Sequence, residues 1–282
     1  MTKVEWQKTI EIKEELLEKN VRSYTMEPWK HSREPFHIID NIYYVGTQYV
    51  SCFLIDTGDG LILIDSGFYQ TVYQVINNIY KLGFDPKDIK KLLLTHAHFD
   101  HCGGAAAIRD VSGCEIWLGK DDLFFLTERR DLIYHEEDVP VFTVDHCYSD
   151  DEPIVQGNTV IRTASTPGHT PGTTTFFYTI RHEGRTLTGA TFGGIGLNGL
   201  SKLELTRNRL PLSLQDKYIE SLKKMLEEHV DVQLPSHNKH CPSFFAARDM
   251  DGRPEAFIDE TKWPEMIRSM LAKIEDMKAS GI

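Results

Sequence analysis

Three histidines and one aspartate fall within six positions of this chain, at His96, His98, Asp100 and His101. Imidazole nitrogen and carboxylate oxygen suit zinc, and also iron or manganese. His96 and His98 are two apart, so on extended chain their side chains leave on the same side and can grip one ion. Asp100 and His101 lie further along, where the chain turns, and reach a second position. The spacing therefore predicts two adjacent metals, each with an unfinished shell. A tetrahedral ion needs about four donors, so the missing ligands must come from later in the chain.

The cluster is bracketed by elements able to hold it. Ile89 to Leu94 is a short apolar run that reads as a buried strand. Cys102-Gly103-Gly104 leads into Ala105 to Ile108, a helix start. Ligands between a strand end and a helix start sit on a rigid scaffold. The motif His-x-His-x-Asp-His resembles the signature of the metallo-β-lactamase fold superfamily. That resemblance implies an α/β class fold, a four-layer αββα sandwich with two metals at its edge, and covers about residues 36–240. It also assigns roles residue by residue. Asp65 corresponds to an aspartate that supports the metals without binding them. His169, in the turn Thr166-Pro167-Gly168-His169-Thr170-Pro171-Gly172, corresponds to the family's third histidine. His237 corresponds to the last ligand, in preference to His240. The implied sets are His96, His98 and His169 on one zinc ion, and Asp100, His101 and His237 on the other.

One departure stands out. Many members carry a bridging aspartate after the strand that here ends at Thr191. No Asp, Glu or Cys occurs between Gly184 and Leu203, and Thr191 is the foremost hydroxyl available beside the site. The ligand set resembles the subclass with three histidines on one zinc and Asp-His-His on the other, which has no bridging carboxylate.

The remaining chain is read as supports for this site. Residues 1–35 form an N-terminal helix over 3–20, with Trp6, Ile10, Leu16 and Leu17 apolar, and a connecting segment. The helix is expected to cover the domain or to pair two copies as a homodimer. Residues 36–240 form the metallo-β-lactamase-like domain. It opens with strands at 36–39, 42–45, 50–55 and 61–64, the last two joined by the hairpin signal Thr57-Gly58-Asp59-Gly60. The 121–150 segment reads equally as a pocket wall or as packing, and 192–212 as a loop forming a second wall. Ser213, with Asp216 three residues on, is expected to cap a helix, and 230–234 to be the last core strand. Residues 241–282 are expected to be a C-terminal helical extension on the same domain, with Trp263, Ile267, Ile274 and Met277 at helical spacing.

The totals exclude several classes. The 282-residue chain has a net charge of −11, which argues against nucleic acid as a partner. No apolar run approaches membrane-spanning length. Charged residues occupy Met1 to Trp6, where a secretory signal has an apolar stretch, so a cytoplasmic location is expected. The five cysteines form no Cys-x-x-Cys pair; Cys102, beside His101, reads as a small buried hydrophobe. The expected activity is a zinc-dependent hydrolase of a small molecule with a lactam-, lactone- or ester-like bond. Its nucleophile is a metal-bound hydroxide, since such a water ionises near neutrality, and Asp100 orients it and passes a proton to the leaving group. The alternatives are a non-haem iron oxidoreductase on the same fold, or a metal-binding protein with little catalysis.

Overall fold

The computed structural model describes residues 2–282, with side chains throughout except at 12–14, 16 and 17. Leu16 and Leu17 of the expected apolar stripe therefore lie outside the described residues. Helix α1 (Lys3–Met26) runs longer than the expected span. It starts at a capping box: Thr2 Oγ1 accepts the Glu5 N–H, and the Glu5 carboxylate accepts the Thr2 N–H at 2.7 Å.

The first sheet opens as a meander of β1 (Phe36–Ile39), β2 (Ile42–Tyr44), β3 (Phe53–Asp56) and β4 (Leu61–Ile64). Helix α2 (Val72–Lys81) crosses over to β5 (Ile89–Leu93). Helices α3 (Phe99–Cys102) and α4 (Ala105–Ser112) cross to β6 (Glu115–Leu118), and α5 (Leu123–Thr127) begins the path to β7 (His146–Cys147). The seven strands lie in chain order, and β4 to β7 run parallel. The second sheet holds β8 (Ile154–Gln156), β9 (Thr159–Ser165), β10 (Thr174–His182) and β11 (Arg185–Thr191). After α6 (Lys202–Arg207) and α7 (Leu214–Leu226), β12 (Val232–Gln233) joins it parallel to β11. Helices α8 (Pro242–Met250) and α9 (Lys262–Ala279) finish the chain.

Period-two alternation places each sheet between two apolar layers. Leu54, Leu61, Leu63 and Leu92 face the α2–α4 side, whereas Phe53, Ile55, Ile62 and Ile64 face the second sheet. On that sheet Phe176, Tyr178 and Ile180 meet them, and Phe177 and Ala164 point outward to α7 and α9. Three stacked cores make four layers, αββα, the fold class expected. No helix among the described residues is long and apolar enough to cross a membrane.

Three expectations are corrected. The strand expected from Val50 begins at Phe53, and Val50 instead makes an isolated bridge to His237. The 192–212 loop contains α6, whose capping box is Ser201 with Glu204. Ser213 does not cap α7 with its side chain. The Leu214 and Gln215 N–H groups already donate to the Pro211 and Leu212 carbonyls, so Ser213 sits inside the first turn.

The topology gathers the ends of β4, β5 and β6 at one edge, because the strands are parallel. The β9–β10 turn and the ends of β11 and β12 lie at the matching edge of the second sheet. The Thr174 N–H donates to the Thr95 carbonyl at 2.9 Å and ties the two edges together. Nearby, Gly119 crosses Gly172 so closely that a Cβ on Gly119 would stand 1.9 Å from the Gly172 carbonyl oxygen. Gly119→Ala should therefore cost about 1–3 kcal/mol, read as a lower urea midpoint. An unchanged midpoint would mean that the crossing is loose.

Candidate metal centre

The site is assembled from the loops that follow those strand ends. His96 and His98 follow β5, and Asp100 and His101 lie on the short turn α3. His169 comes from the β9–β10 turn and His237 from the chain after β12. The structure brings all six together. Atoms of His96, His98 and His169 capable of ligation lie within 4.8 Å of one another, as do those of His96, Asp100 and His101. His237 Nε2 stands 3.1 Å from His101 Nε2 and 3.4 Å from Asp100 Oδ2. The two groups share His96 and are adjacent.

The rear nitrogens decide what the front ones can do. Nδ1 of His169 contacts the Gly196 carbonyl at 3.1 Å, Nδ1 of His237 the Tyr49 carbonyl at 3.3 Å, and Nδ1 of His101 the Asp65 carboxylate at 2.7 Å. Those oxygens only accept, so each Nδ1 carries the proton and each Nε2 a lone pair. His96 follows by one step. Thr95 Oγ1 donates to Asp65 at 2.8 Å and so accepts from His96 Nδ1 at 3.1 Å. His96 Nε2 is then a buried lone pair, and it has no hydrogen-bond partner.

These facts test whether the residues fit a metal. With both rings neutral, His101 Nε2 and His237 Nε2 face each other with a lone pair each, and neither can donate to the other. A cation between them makes the contact favourable. His98 Nδ1 stands 3.0 Å from His169 Nε2; it donates to that lone pair as the Nδ1–H tautomer and shares a cation with it as the Nε2–H tautomer. Two nitrogens on one tetrahedral zinc are separated by roughly 3.3 Å, close to both spacings. Burial, then repulsion from neighbouring imidazoles, holds His96, His98 and His237 well below the ordinary histidine range and takes His169 down to about 3. These rings are neutral donors at pH 7. His101 differs. Burial pulls it down, but Asp100 and Asp65 outweigh burial and raise it. Burial raises Asp100 itself.

Asp65 supports the site from behind. At φ 56° it is left-handed, a conformation that Asp tolerates better than most residues. Its carboxylate accepts from the Thr95 N–H, from Thr95 Oγ1 and from His101 Nδ1. Thr191 is placed differently. Its hydroxyl accepts from Tyr178 at 3.1 Å, and it is not among the residues lining the cavity over the ligands. Gly193 and Gly194 form that wall. A Cβ on Gly194 would stand 2.7 Å from the His169 ring, so a side chain there would push the ligand aside. His240 also lines the cavity, 5.4 Å ring to ring from His237. Cys102 is fully buried in the core beneath, its thiol pushed up by burial.

The cavity measures about 300 Å3. The 121–150 segment divides between the two readings: Phe125, Leu126, Leu132 and Ile133 pack into the core, and Tyr134 and His135 reach the cavity. The 192–212 segment is a wall through Gly193 to Asn198, Glu204 and Arg207. Helix α1 crosses over the top. The Trp6 indole N–H donates to Asp276 on α9 at 2.9 Å, and at the other end Tyr24 stacks on Tyr49 at 4.4 Å.

Asp122 is a residue that sequence reasoning passed over. It is fully buried, and its carboxylate accepts from the Ala97 N–H at 2.9 Å, Thr170 Oγ1 at 2.8 Å and the Gly172 N–H at 2.6 Å. It thus joins the peptide between His96 and His98 to the turn that carries His169. The one available signal was its place, a carboxylate just past the end of a parallel strand.

Residues 45–237 match the family model of the metallo-beta-lactamase superfamily. The chain therefore belongs to that superfamily. It superposes on a subclass B3 metallo-beta-lactamase of Bradyrhizobium japonicum with a TM-score of 0.81 at 30% identity, covering 90% of this chain and 97% of that one. A metallo-beta-lactamase of Legionella gormanii follows, with a TM-score of 0.80 at 28% identity, covering 89% and 98%. Among curated proteins, an N-acyl homoserine lactonase of Bacillus thuringiensis is 23% identical over 165 residues, which are 49% of this chain and 61% of the lactonase. An uncharacterized Bacillus subtilis protein, YobT, is 29% identical over 54% of this chain and 67% of its own length. Family and neighbours together support a metal-dependent hydrolase.

Asp122→Asn turns an NH2 group toward donors. It should cost about 1–3 kcal/mol at pH 8, read by urea unfolding of metal-free protein, and about tenfold in metal affinity, read against a chelating dye. The pH dependence has a fixed sign. Burial pushes the folded carboxyl up to about 6 from an ordinary 3.8, while its three hydrogen bonds pull it down. Between those values the folded chain holds a proton that the unfolded chain has released, so acidification from pH 7 to about pH 4.5 stabilises wild type relative to the variant. Unchanged metal affinity together with a pH-independent gap would remove Asp122 from this role.

Proposed function

We propose that this protein is a dinuclear zinc hydrolase that cleaves a small carbonyl compound, a lactam, lactone or similar ester. The observation that carries the reading is the convergence of unprotonated imidazole nitrogens with one carboxylate at the floor of a cavity. Among the described residues that line this cavity there is no serine, threonine or cysteine. This favours water as the attacking group. His96, His98 and His169 would hold one ion, and Asp100, His101 and His237 the other. Five nitrogens and one oxygen suit zinc better than magnesium or calcium. When bound, such ions supply Lewis acidity and lower the pKa of water toward neutrality.

The chain's own residues do the rest. Asp65 and the Gly196 and Tyr49 carbonyls hold the ligand rings in one tautomer, so little reorganisation is needed on binding. Asp100 lines the cavity with its side chain 13% exposed. It is the acidic group placed to accept a proton from attacking water and return it to the leaving group. Tyr134, its ring 5.0 Å from that of His98, and α1 above restrict the entry of bulk water. The solved neighbours are named as lactamases and a curated relative as a lactonase; both names describe opening of a cyclic acyl bond, which supports the carbonyl assignment.

Metal analysis of the purified protein, coupled to turnover of a chromogenic lactam, a lactone and a phosphodiester, tests the reading. Two zinc equivalents with cleavage of an acyl bond are expected. Fewer than one bound metal, or cleavage of the phosphodiester alone, would overturn it. Asp100→Ala should lose about one metal equivalent and lower kcat by about 10²–10⁴-fold. If that variant kept both metals and full turnover, Asp100 would have no part in the reaction.

A further inference from the structure

The cavity over the ligands has more apolar wall than a small carbonyl group needs. Its apolar lining away from the histidines includes Trp6 and Ile10 of α1, Ile195 and Leu197 of the wall after β11, and Met277 of α9. Trp6 is 4% exposed, and its indole is pinned by Asp276. The space does not end there. A second, more open groove of about 700 Å3 shares Trp6, Tyr49, Leu197, Asn198, Lys239 and His240 with the first. It continues along Thr9 of α1 and Met270 and Lys273 of α9. Trp6 and Leu197 therefore stand where the two cavities adjoin, with α1 on one side and α9 on the other.

A wall of this kind is complementary to hydrocarbon. Burial of methylene groups against these apolar side chains is favourable, while Asn198, Lys239 and His240 lie at the polar margin of both cavities. We infer that the substrate is an acyl compound whose reacting carbonyl lies at the His96–Asp100 cluster and whose remainder is an apolar chain of several carbons, threaded between α1 and α9 past Trp6 and Leu197. The inference rests on the hydrolase reading for the reacting group, and on the two adjoining cavities for the chain. Trp6, Ile10 and Leu197 become the residues that set chain-length preference. Helix α1 is then part of the substrate site as well as its cover.

Straight-chain n-alkyl hydroxamates of two to ten carbons, titrated by calorimetry into the full-length zinc-loaded protein, test this without turnover. Affinity should rise about fourfold for each added methylene over part of the series. Trp6→Ala should flatten that slope, and Leu197→Ser, placed on the opposite wall and outside α1, should flatten it too. The second variant guards against simple loosening of α1 in the first. Equal affinity at all chain lengths, or an unaltered slope in both variants, would overturn the inference. The two readings separate cleanly. A slope without cleavage of any acyl substrate leaves the chain groove standing and removes the hydrolase; cleavage without a slope removes only the groove.

Discussion

The site depends on one buried carboxylate that touches none of the space where metals would bind. Asp65 accepts directly from His101 and, through the Thr95 hydroxyl, governs His96. One ligand from each group is thereby fixed in the tautomer that presents its Nε2 lone pair forward. Without Asp65, His101 and His96 could rotate or exchange tautomers, and the facing nitrogens would satisfy each other by hydrogen bonds instead of a cation. The negative charge also matters. Asp100 is the one carboxylate in the ligand set, so two divalent ions would otherwise concentrate most of their charge unbalanced in a buried site. Asp65 offsets part of it one residue away and leaves the net charge positive, which is what polarising a carbonyl requires.

The sandwich delivers this arrangement because parallel strands end together. Asp65, Thr95 and Asp122 each follow a different strand of the first sheet, β4, β5 and β6, at one edge. The second sheet brings the turn with His169 and the chain with His237 to the same edge. Asp122 and the Thr174–Thr95 hydrogen bond then lock the two edges in register. The Val50–His237 bridge does the same for the last ligand. The ligands lie on loops, but every loop is held by a short hydrogen bond to a neighbouring strand end. Rigid supports under loop-borne ligands are how a fold keeps ions within the narrow distances that coordination tolerates.

Much of this was legible in the sequence, for an identifiable reason. A metal ligand is chosen by side-chain chemistry, so His96, His98, Asp100 and His101 announce themselves by type and spacing, and family resemblance added Asp65, His169 and His237. The strands were legible because Phe53 to Ile55 and Leu61 to Ile64 are unbroken apolar runs on either side of the turn signal Thr57-Gly58-Asp59-Gly60. What stayed hidden was carried by the backbone. The Gly196 and Tyr49 carbonyls that set two tautomers have no residue signature, and Asp122 becomes meaningful only where the ends of β6 and the 166–172 turn cross. Capping failed for a related reason. Ser201-x-x-Glu204 and Ser213-x-x-Asp216 are equivalent patterns, and the turn already formed at Pro211 and Leu212 decided between them.

The absent bridging carboxylate and the covering helix belong to one physical picture. No acidic residue directly follows β11 here: Thr191, at its end, accepts a hydrogen bond from Tyr178, and the chain continues into Gly193 and Gly194. Glycines there let the wall approach His169 closely, and Ile195 and Leu197 follow directly with apolar surface. This wall therefore places hydrocarbon, not charge, beside the ligands. Helix α1 completes it by closing the same side with Trp6 and Ile10. A metal site neutralised by one carboxylate and covered by apolar side chains would strengthen each electrostatic interaction within it. On the proposed reading, recognition would then rest on apolar shape, and substrate choice on residues outside the metal motif.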